Sequence, residues 1–322
     1  MILDNKTILV TGGTGSFGQK FTEIVLSEHN PKAIRIFSRG EFLQDEMRQK
    51  YLGHSKLRFF IGDVRDKERL SRAMRGVDIV VHAAALKQVP ACEYNPIEAV
   101  RTNIDGASNV INAAIDCKVE KVMAISSDKA VYPTNLYGAT KLVAEKLFVQ
   151  ANAYVGYGDT RFSCVRYGNV MNSRGSCIPL FIKQREQGRL TITDERMTRF
   201  WFTLEQAVHF VIDSIAIMCG GEVFVPKIPS MKVSDVAEII APGAAREYIG
   251  IRPGEKLHET LITEEESRHT KDRRDYYLIE PQFPFWNKYL LERTKLISEA
   301  FEYKSDACTA TRDEFIHLME TM

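Results

Sequence analysis

The segment Thr11-Gly12-Gly13-Thr14-Gly15-Ser16-Phe17-Gly18 constrains the fold of this chain more than any other. It stands between a β-branched apolar run, Thr7 to Val10, and a stretch with helical patterning, Gln19 to Ser27. Gly12, Gly15 and Gly18 therefore fall at a strand-to-helix turn, with Thr14, Ser16 and Phe17 completing its ligand-facing surface. Missing side chains there permit a tight turn, close approach of backbone to a pyrophosphate, and close packing of helix on strand. The helix N-terminus then presents free N–H groups to the anion. A glycine triplet alone is a weak signal, and an ordinary glycine turn is the competing reading. The flanking strand and helix favour a dinucleotide-binding βαβ unit.

The same rhythm continues through Ala33 to Phe37, Leu57 to Ile61, Ile79 to His82, Lys121 to Ile125 and Ser163 to Val165, each an apolar run followed by a longer amphipathic stretch. This predicts an α/β fold with a Rossmann-type doubly wound parallel sheet. Leu204 to Met218 has helical periodicity and Glu222 to Val225 reads as one more buried strand, so the first domain recovers the chain late. We expect residues 1–166 and 203–228 to form the cofactor-binding domain, and residues 167–202 and 229–322 a smaller, discontinuous substrate lobe. That lobe holds the loop-rich pieces Asn172 to Pro179, Thr193 to Phe200 and Arg252 to Lys256. The tail beyond Pro281 carries Phe283, Phe285, Trp286, Tyr289, Phe301 and Tyr303, placed at an interface or, more simply, as a cap on the small lobe.

Over 322 residues, Lys+Arg 43 against Asp+Glu 42 leaves a formal charge of +1, which gives no field for capturing nucleic acid or an anionic membrane. An anionic ligand must then be bound locally. The six cysteines are scattered, with no CxxC and no cluster at metal spacing, so no metal is expected and a reducing, cytoplasmic setting is. No stretch approaches the length of a membrane span.

The GxxGxxG spacing resembles the short-chain dehydrogenase/reductase superfamily. In that fold the second strand ends where an NAD enzyme usually places an acid for the ribose hydroxyls. Here it ends at Ser38-Arg39, a hydroxyl and a guanidinium suited to a 2′-phosphate, which favours NADP; Glu41 nearby leaves NAD as the alternative. Gly62-Asp63-Val64 resembles the superfamily's adenine-flanking segment. His82-Ala83-Ala84-Ala85 would pass small side chains beside the nicotinamide ribose.

Of the twelve tyrosines only Tyr137 has a lysine four residues later, Lys141, and a helix from Tyr137 to Gln150 would set them one turn apart on one face. A nearby ammonium and a cationic nicotinamide would favour the phenolate, so that Tyr137 takes a proton as hydride leaves. Ser127, at the superfamily's serine or threonine position, would hydrogen-bond the reacting carbonyl. Asp128-Lys129 follows at the carboxyl end of the fifth strand, where open α/β sheets bind ligands. Such a pair in a loop is otherwise a solvated ion pair.

The run from Ser127-Asp128-Lys129-Ala130 through Asn135-Leu136-Tyr137-Gly138-Ala139-Thr140-Lys141 resembles the inverting UDP-N-acetylglucosamine 4,6-dehydratases of the pseudaminic acid pathway. So do Ala83 through Pro90, Arg166-Tyr167-Gly168-Asn169-Val170, Ser173-Arg174-Gly175-Ser176 and Ile251-Arg252-Pro253-Gly254-Glu255-Lys256; the likeness fades after about residue 280. It implies that Tyr137 and Lys141 begin the reaction at C4, that a neutral Lys129, its pKa lowered by desolvation and nearby cations, removes the C5 proton, and that Asp128 protonates the departing C6 hydroxyl. It further implies a recycled NADP bounded by Val170, substrate contacts from Lys87, Asn103, Asn169, Arg199, Arg252 and Glu255, and a homo-oligomer, dimer or hexamer, serving flagellin or another surface glycan. Asn103 has a structural hydrogen-bonding role as its alternative. A UDP-hexose 4-epimerase would use Tyr137 and Lys141 but has no work for Asp128 and Lys129. A non-catalytic NADP-binding protein need not keep the proton-transfer groups.

Overall fold

The computed structural model describes residues 1–322 except 157, 172, 174, 175, 285, 287–298 and 321–322. Asn172, Arg174, Gly175, Phe285 and Tyr289, singled out above, lie outside the described residues. Six strands form where the apolar runs stand: β1 Thr7–Thr11, β2 Ala33–Ser38, β3 Leu57–Ile61, β4 Ile79–His82, β5 Lys121–Ile125 and β6 Arg161–Val165. β1 and β4 are buried along their whole length, because helices cover both faces of a parallel sheet.

The order across the large sheet is β3-β2-β1-β4-β5-β6, then Val223–Pro226, Tyr276–Ile279 and Thr270–Asp272. Pairing is parallel as far as Val223–Pro226 and antiparallel over the last two strands. The parallel doubly wound sheet is as the sequence indicates. The last two strands at that end are not: they lie within residues 229–322, which the sequence reading gave wholly to the smaller lobe. Their periodicity is short, and antiparallel addition needs only a hairpin, Thr270–Asp272 to Tyr276–Ile279, rather than a crossover helix.

The smaller lobe has its own apolar core, built on Phe181, Ile192, Trp201, Val236, Ile240 and Phe315. Thr198–Phe202 pairs with Ser230–Lys232 and Asn169–Val170, and Arg189–Ile192 pairs with Ala245–Tyr248. The tail closes this lobe: Phe315 of helix Arg312–Glu320 is fully buried with its ring edge-on to Trp201, centroids 5.4 Å apart. Phe301 and Tyr303 pack against Tyr277. Among the described residues no helix is long and apolar enough to cross a membrane.

Strand order reverses between β1 and β4, so a crevice opens at their carboxyl ends, where doubly wound sheets bind ligands. The glycine turn, the Ala83–Ala85 loop and the turn after β5 all converge there.

Candidate active site

On one side of the crevice, the helix Ser16–Glu28 starts from Gly15, which has no side chain to cap it. Gly12 has φ +66°, and a Cβ there would stand 3.0 Å from Ala84 Cα and N. A Cβ on Gly18 would come within 2.5 Å of Gly13 Cα. Any larger residue would fill this cradle or push the helix out, so the turn fits a pyrophosphate held on helical N–H groups. Thr11 Oγ1 contacts His82 Nδ1 at 2.8 Å and accepts from Ala84 N at 3.3 Å, tying the glycine strand to the Ala83–Ala85 loop. Burial, then the charge of Lys141, lowers His82 to about 3 and keeps it neutral.

Phe17 packs on Phe21, and Thr14 and Val64 are buried. Ser38 is turned inward, its Oγ accepting from Thr14 N at 3.2 Å. This corrects the expectation for Ser38, whose hydroxyl braces the glycine turn. Arg39, 53% exposed and 3.9 Å from Asp63, is the polar group presented at that strand end. Burial opposes ionisation of Asp63, but Arg65, bonded through backbone and side chain, holds its carboxyl below the usual range.

Across the crevice, β5 runs into the short turn Asp128–Ala130, and the helix Leu136–Ala151 packs on that turn. Asn135 caps the helix, accepting from Gly138 N at 2.8 Å. A Cβ on Gly138 would collide with the Lys129 carbonyl oxygen, so this glycine lets the helix press on the turn. The result is a line of polar groups, hydrogen-bonded from Ser127 through Asp128 and Lys129 to Asn169 with the Tyr137 phenol beside Ser127. Ser127 meets the Tyr137 phenol and donates to Asp128 Oδ1 at 2.7 Å. Lys129 Nζ donates to Asp128 Oδ2 at 3.0 Å and to Asn169 Oδ1 at 2.6 Å.

Asp128 is fully buried, whereas Lys129 keeps 24% of its side chain exposed. Burial raises the Asp128 carboxyl against the pull of Lys129. For Lys129, burial works against the ammonium, but Asp128 and then Glu259 outweigh it and raise its pKa. The expected lowering of Lys129 is thus corrected: two carboxylates face it. Tyr137 is likewise raised, by burial first and the Asp128 charge second. Lys141, held below the ordinary lysine range by burial, donates to the Ile125 carbonyl at 2.5 Å rather than to the phenol. Coupling of Tyr137 to Lys141, expected from their spacing, is not made by direct contact in the protein alone.

The remaining candidates divide. Lys87 stands at the rim, lowered by lost solvation and by the charge of Lys129, and Val170 follows Asn169 on a short strand. Arg252, 54% exposed, faces Glu255 at 3.6 Å. Asn103 is buried and spent on structure: it accepts from Leu86 N and donates to Leu86 O and Thr140 Oγ1. Arg199, also buried, donates to the carbonyls of Thr198, Leu257 and Lys256. Its guanidinium orders the segment after Arg252 instead of reaching outward as a diphosphate clamp, which corrects that expectation.

Sequence reasoning missed Glu259 and Lys256. Glu259, 4% exposed, lies 3.6 Å from Lys129 Nζ, 3.8 Å from Arg199 Nε and 3.0 Å from Lys256 Nζ. Lys256 Nζ donates to the Val131 carbonyl at 2.7 Å. Thr134 and Asn135 both donate to the Gly254 carbonyl, at 3.0 and 2.7 Å, so the Pro253-Gly254 turn docks on the start of the Tyr137 helix.

The chain matches the family described as "Polysaccharide biosynthesis protein" over residues 8–281. It is 50% identical over 314 residues to a Campylobacter jejuni protein named "UDP-N-acetylglucosamine 4,6-dehydratase (inverting)", covering 95% of this chain and 94% of that one. It is 45% identical to a Rickettsia typhi protein named "UDP-glucose 4-epimerase", covering 94% and 91%. The crystal structure of Pen from Bacillus thuringiensis superposes with a TM-score of 0.92 at 40% identity, covering 100% of both chains. Sheet order, glycine cradle and these matches agree: the chain belongs to the polysaccharide biosynthesis protein family, the family of the inverting UDP-N-acetylglucosamine 4,6-dehydratases.

Proposed function

We propose that this protein is a hydro-lyase, an NADP-dependent UDP-N-acetylglucosamine 4,6-dehydratase that inverts C5. The observation that carries this reading is the buried Asp128, hydrogen-bonded to both Lys129 and Ser127, with the Tyr137 phenol close by. The 50% identity to a relative of that name supports it. Gly12, Gly15 and Gly18 would hold the cofactor's pyrophosphate and Arg39 the 2′-phosphate, with Ala83, Ala84, Ala85 and Val170 beside the nicotinamide. When bound, the nicotinamide would supply the hydride chemistry needed to oxidise C4 and reduce C6.

Tyr137, which burial holds as a phenol in the protein alone and which a cationic nicotinamide would draw toward the phenolate, takes the C4 hydroxyl proton in that form; Ser127 holds the resulting carbonyl oxygen, and Lys141 orders the helix-to-strand junction behind them. The 4-ketone makes the C5 proton acidic. Removing it needs a neutral amine, and expelling the C6 hydroxyl needs a protonated acid. Both arise from one event, transfer of a proton from Lys129 to Asp128 across a contact of 2.9 Å. No net charge is created in the buried site, and burial that raises Asp128 favours the transfer. Lys129 then takes the C5 proton while Asp128 protonates the leaving hydroxyl; a proton drawn from solvent reaches C5 from the opposite face. Asn169 orients Lys129, while Lys87, Arg252 and Glu255 serve the nucleotide sugar.

A UDP-hexose 4-epimerase is the second reading, favoured by the name of the Rickettsia relative. It would leave Asp128 and Lys129 without work. Family resemblance supports a place in pseudaminic acid synthesis for flagellin or another surface glycan, a cytoplasmic location and a homo-oligomer. The test is proton NMR of the protein with UDP-N-acetylglucosamine in heavy water. A C6 methyl signal with deuterium at an inverted C5 is expected. Conversion to the galacto isomer without a methyl signal would establish the epimerase instead.

A further inference from the structure

Glu259 belongs to neither the glycine cradle nor the Ser127–Lys141 run, yet it is the second carboxylate on Lys129. We propose that Glu259 is a positioning residue that sets the proton load of the Asp128–Lys129 pair and thereby the pH range in which the pair works. This rests on the dehydratase reading above.

The geometry is specific. Glu259 is 4% exposed and lies 3.6 Å from Lys129 Nζ. Its own place is fixed from two directions: its N–H donates to Ser305 Oγ at 2.9 Å, and Lys256 Nζ stands 3.0 Å from its carboxylate. Lys256 in turn grips the carbonyl of Val131, just past the Asp128–Ala130 turn. Glu259 therefore joins the segment carrying Arg252 and Glu255 to the turn carrying the acid and the base.

The charges facing the pair come from several elements: Glu259 and Lys256 on one segment, Arg199 on strand Thr198–Phe202, Lys87 at the rim, and Tyr137 on the helix. The thiol of Cys177 faces Arg199 and Lys129 and stays protonated, pushed up to about 11 by burial. Glu259 is thus the only carboxylate among the described residues, besides Asp128, that lies within ion-pair distance of Lys129. The pair works when it holds one mobile proton, which can sit on either member. A second proton blocks the base and loss of the last removes the acid. A fixed negative charge beside the pair raises both transitions. Glu259 accordingly shifts the whole bell-shaped profile toward higher pH.

The experiment measures kcat against pH for the wild-type and Glu259→Gln holoenzymes, following methyl formation from UDP-N-acetylglucosamine. Both limbs of the Gln variant are expected to move down by about one pH unit, the size of a charge effect at this separation, while Glu259→Asp restores the wild-type position. A uniform loss of kcat with unmoved limbs would reduce Glu259 to a structural role and overturn the proposal. Should Glu259→Gln fail to fold, Lys256→Gln carries the test: removing that cation is expected to move both limbs up, and unmoved limbs overturn the proposal. Failure of the wild-type protein to form the methyl product at any pH would instead overturn the dehydratase reading on which it rests.

Discussion

Gly138→Ala tests whether contact between the Tyr137 helix and the Asp128–Ala130 turn governs the chemistry. The added Cβ would collide with the Lys129 carbonyl oxygen and stand 3.1 Å from Pro133 Cβ. The first obstacle is backbone, so no side chain can rotate away; helix and turn must separate. Alanine gains about 1 kcal/mol of helix propensity, and overpacking opposes it by about 1–3 kcal/mol. The net effect on stability is small, within about 2 kcal/mol, a shift of a few degrees in Tm. The effect on reaction is larger, because the helix carries Tyr137 and the turn carries Asp128 and Lys129. A separation on the order of 1 Å between reacting groups is worth about a hundredfold in kcat, or roughly 2.7 kcal/mol of barrier. Steady-state kinetics of methyl formation, with a thermal melt of the same sample, should show kcat falling about a hundredfold, KM changing little and Tm moving slightly. A variant that folds with wild-type kcat would refute the reasoning, since the collision would have been absorbed without moving the catalytic groups.

Arg166→Leu should destabilise the fold by about 3–5 kcal/mol, because Glu145, 1% exposed, loses its guanidinium partner; urea unfolding at neutral pH measures this. Glu266 is opposed by burial but held below its usual pKa by Arg166, so its stabilising share is present above the unfolded-state pKa, near 4.5, and lost as pH falls through the folded one. The wild-type should therefore lose stability on acidification through that window, and the Leu variant should lose less; equal slopes would sink the assignment. Gly12→Ala, strained at φ +66° and pressed on Ala84 at 3.0 Å, should abolish retention of the nicotinamide cofactor through gel filtration while the protein stays folded. Lys129→Arg keeps a cation between Asp128 and Glu259, but a guanidinium does not deprotonate at neutral pH. It should reduce bound cofactor when sugar nucleotide is added, seen as near-ultraviolet absorbance, yet form no methyl product, and methyl formation at the wild-type rate would remove Lys129 from the base role.

What the sequence made legible was whatever depends on local pattern. Apolar runs located the six strands β1 to β6 and the glycine spacing located the crevice, because both follow from contacts within a few residues of chain. The Asp128–Lys129 pair was visible as adjacency. Glu259 was not, since it meets Lys129 across 130 positions of sequence and carries no spacing signal of its own. The expectations for Ser38 and Arg199 went astray for a related reason, whereas Asn103 took the structural alternative kept open for it. Residue type says that a guanidinium can clamp phosphate, but only the fold says that three of its five N–H groups are spent on the carbonyls of residues 198, 256 and 257. Gly138 stood in the quoted motif without a stated purpose; its purpose is the space it leaves beside the Lys129 carbonyl.

The resting charges of the site bear on how such a pair can work at all. Lys129 is held as an ammonium by two carboxylates, which is the wrong form for a base, and Asp128 beside an ammonium is drawn toward the wrong form for an acid. Separate tuning of the two groups would require opposing fields a few ångströms apart. Sharing one proton removes that requirement: the same transfer makes the amine neutral and the carboxyl protonated, and Ser127, donating to Asp128, links the event to the hydroxyl of Tyr137. On the proposed mechanism the pair rests as an ion pair until C4 is oxidised, when an acidic C5 proton draws on the neutral amine. Adjacency of Asp128 and Lys129 in sequence then has a physical reason, because two groups on one turn keep their separation whatever the surrounding lobes do.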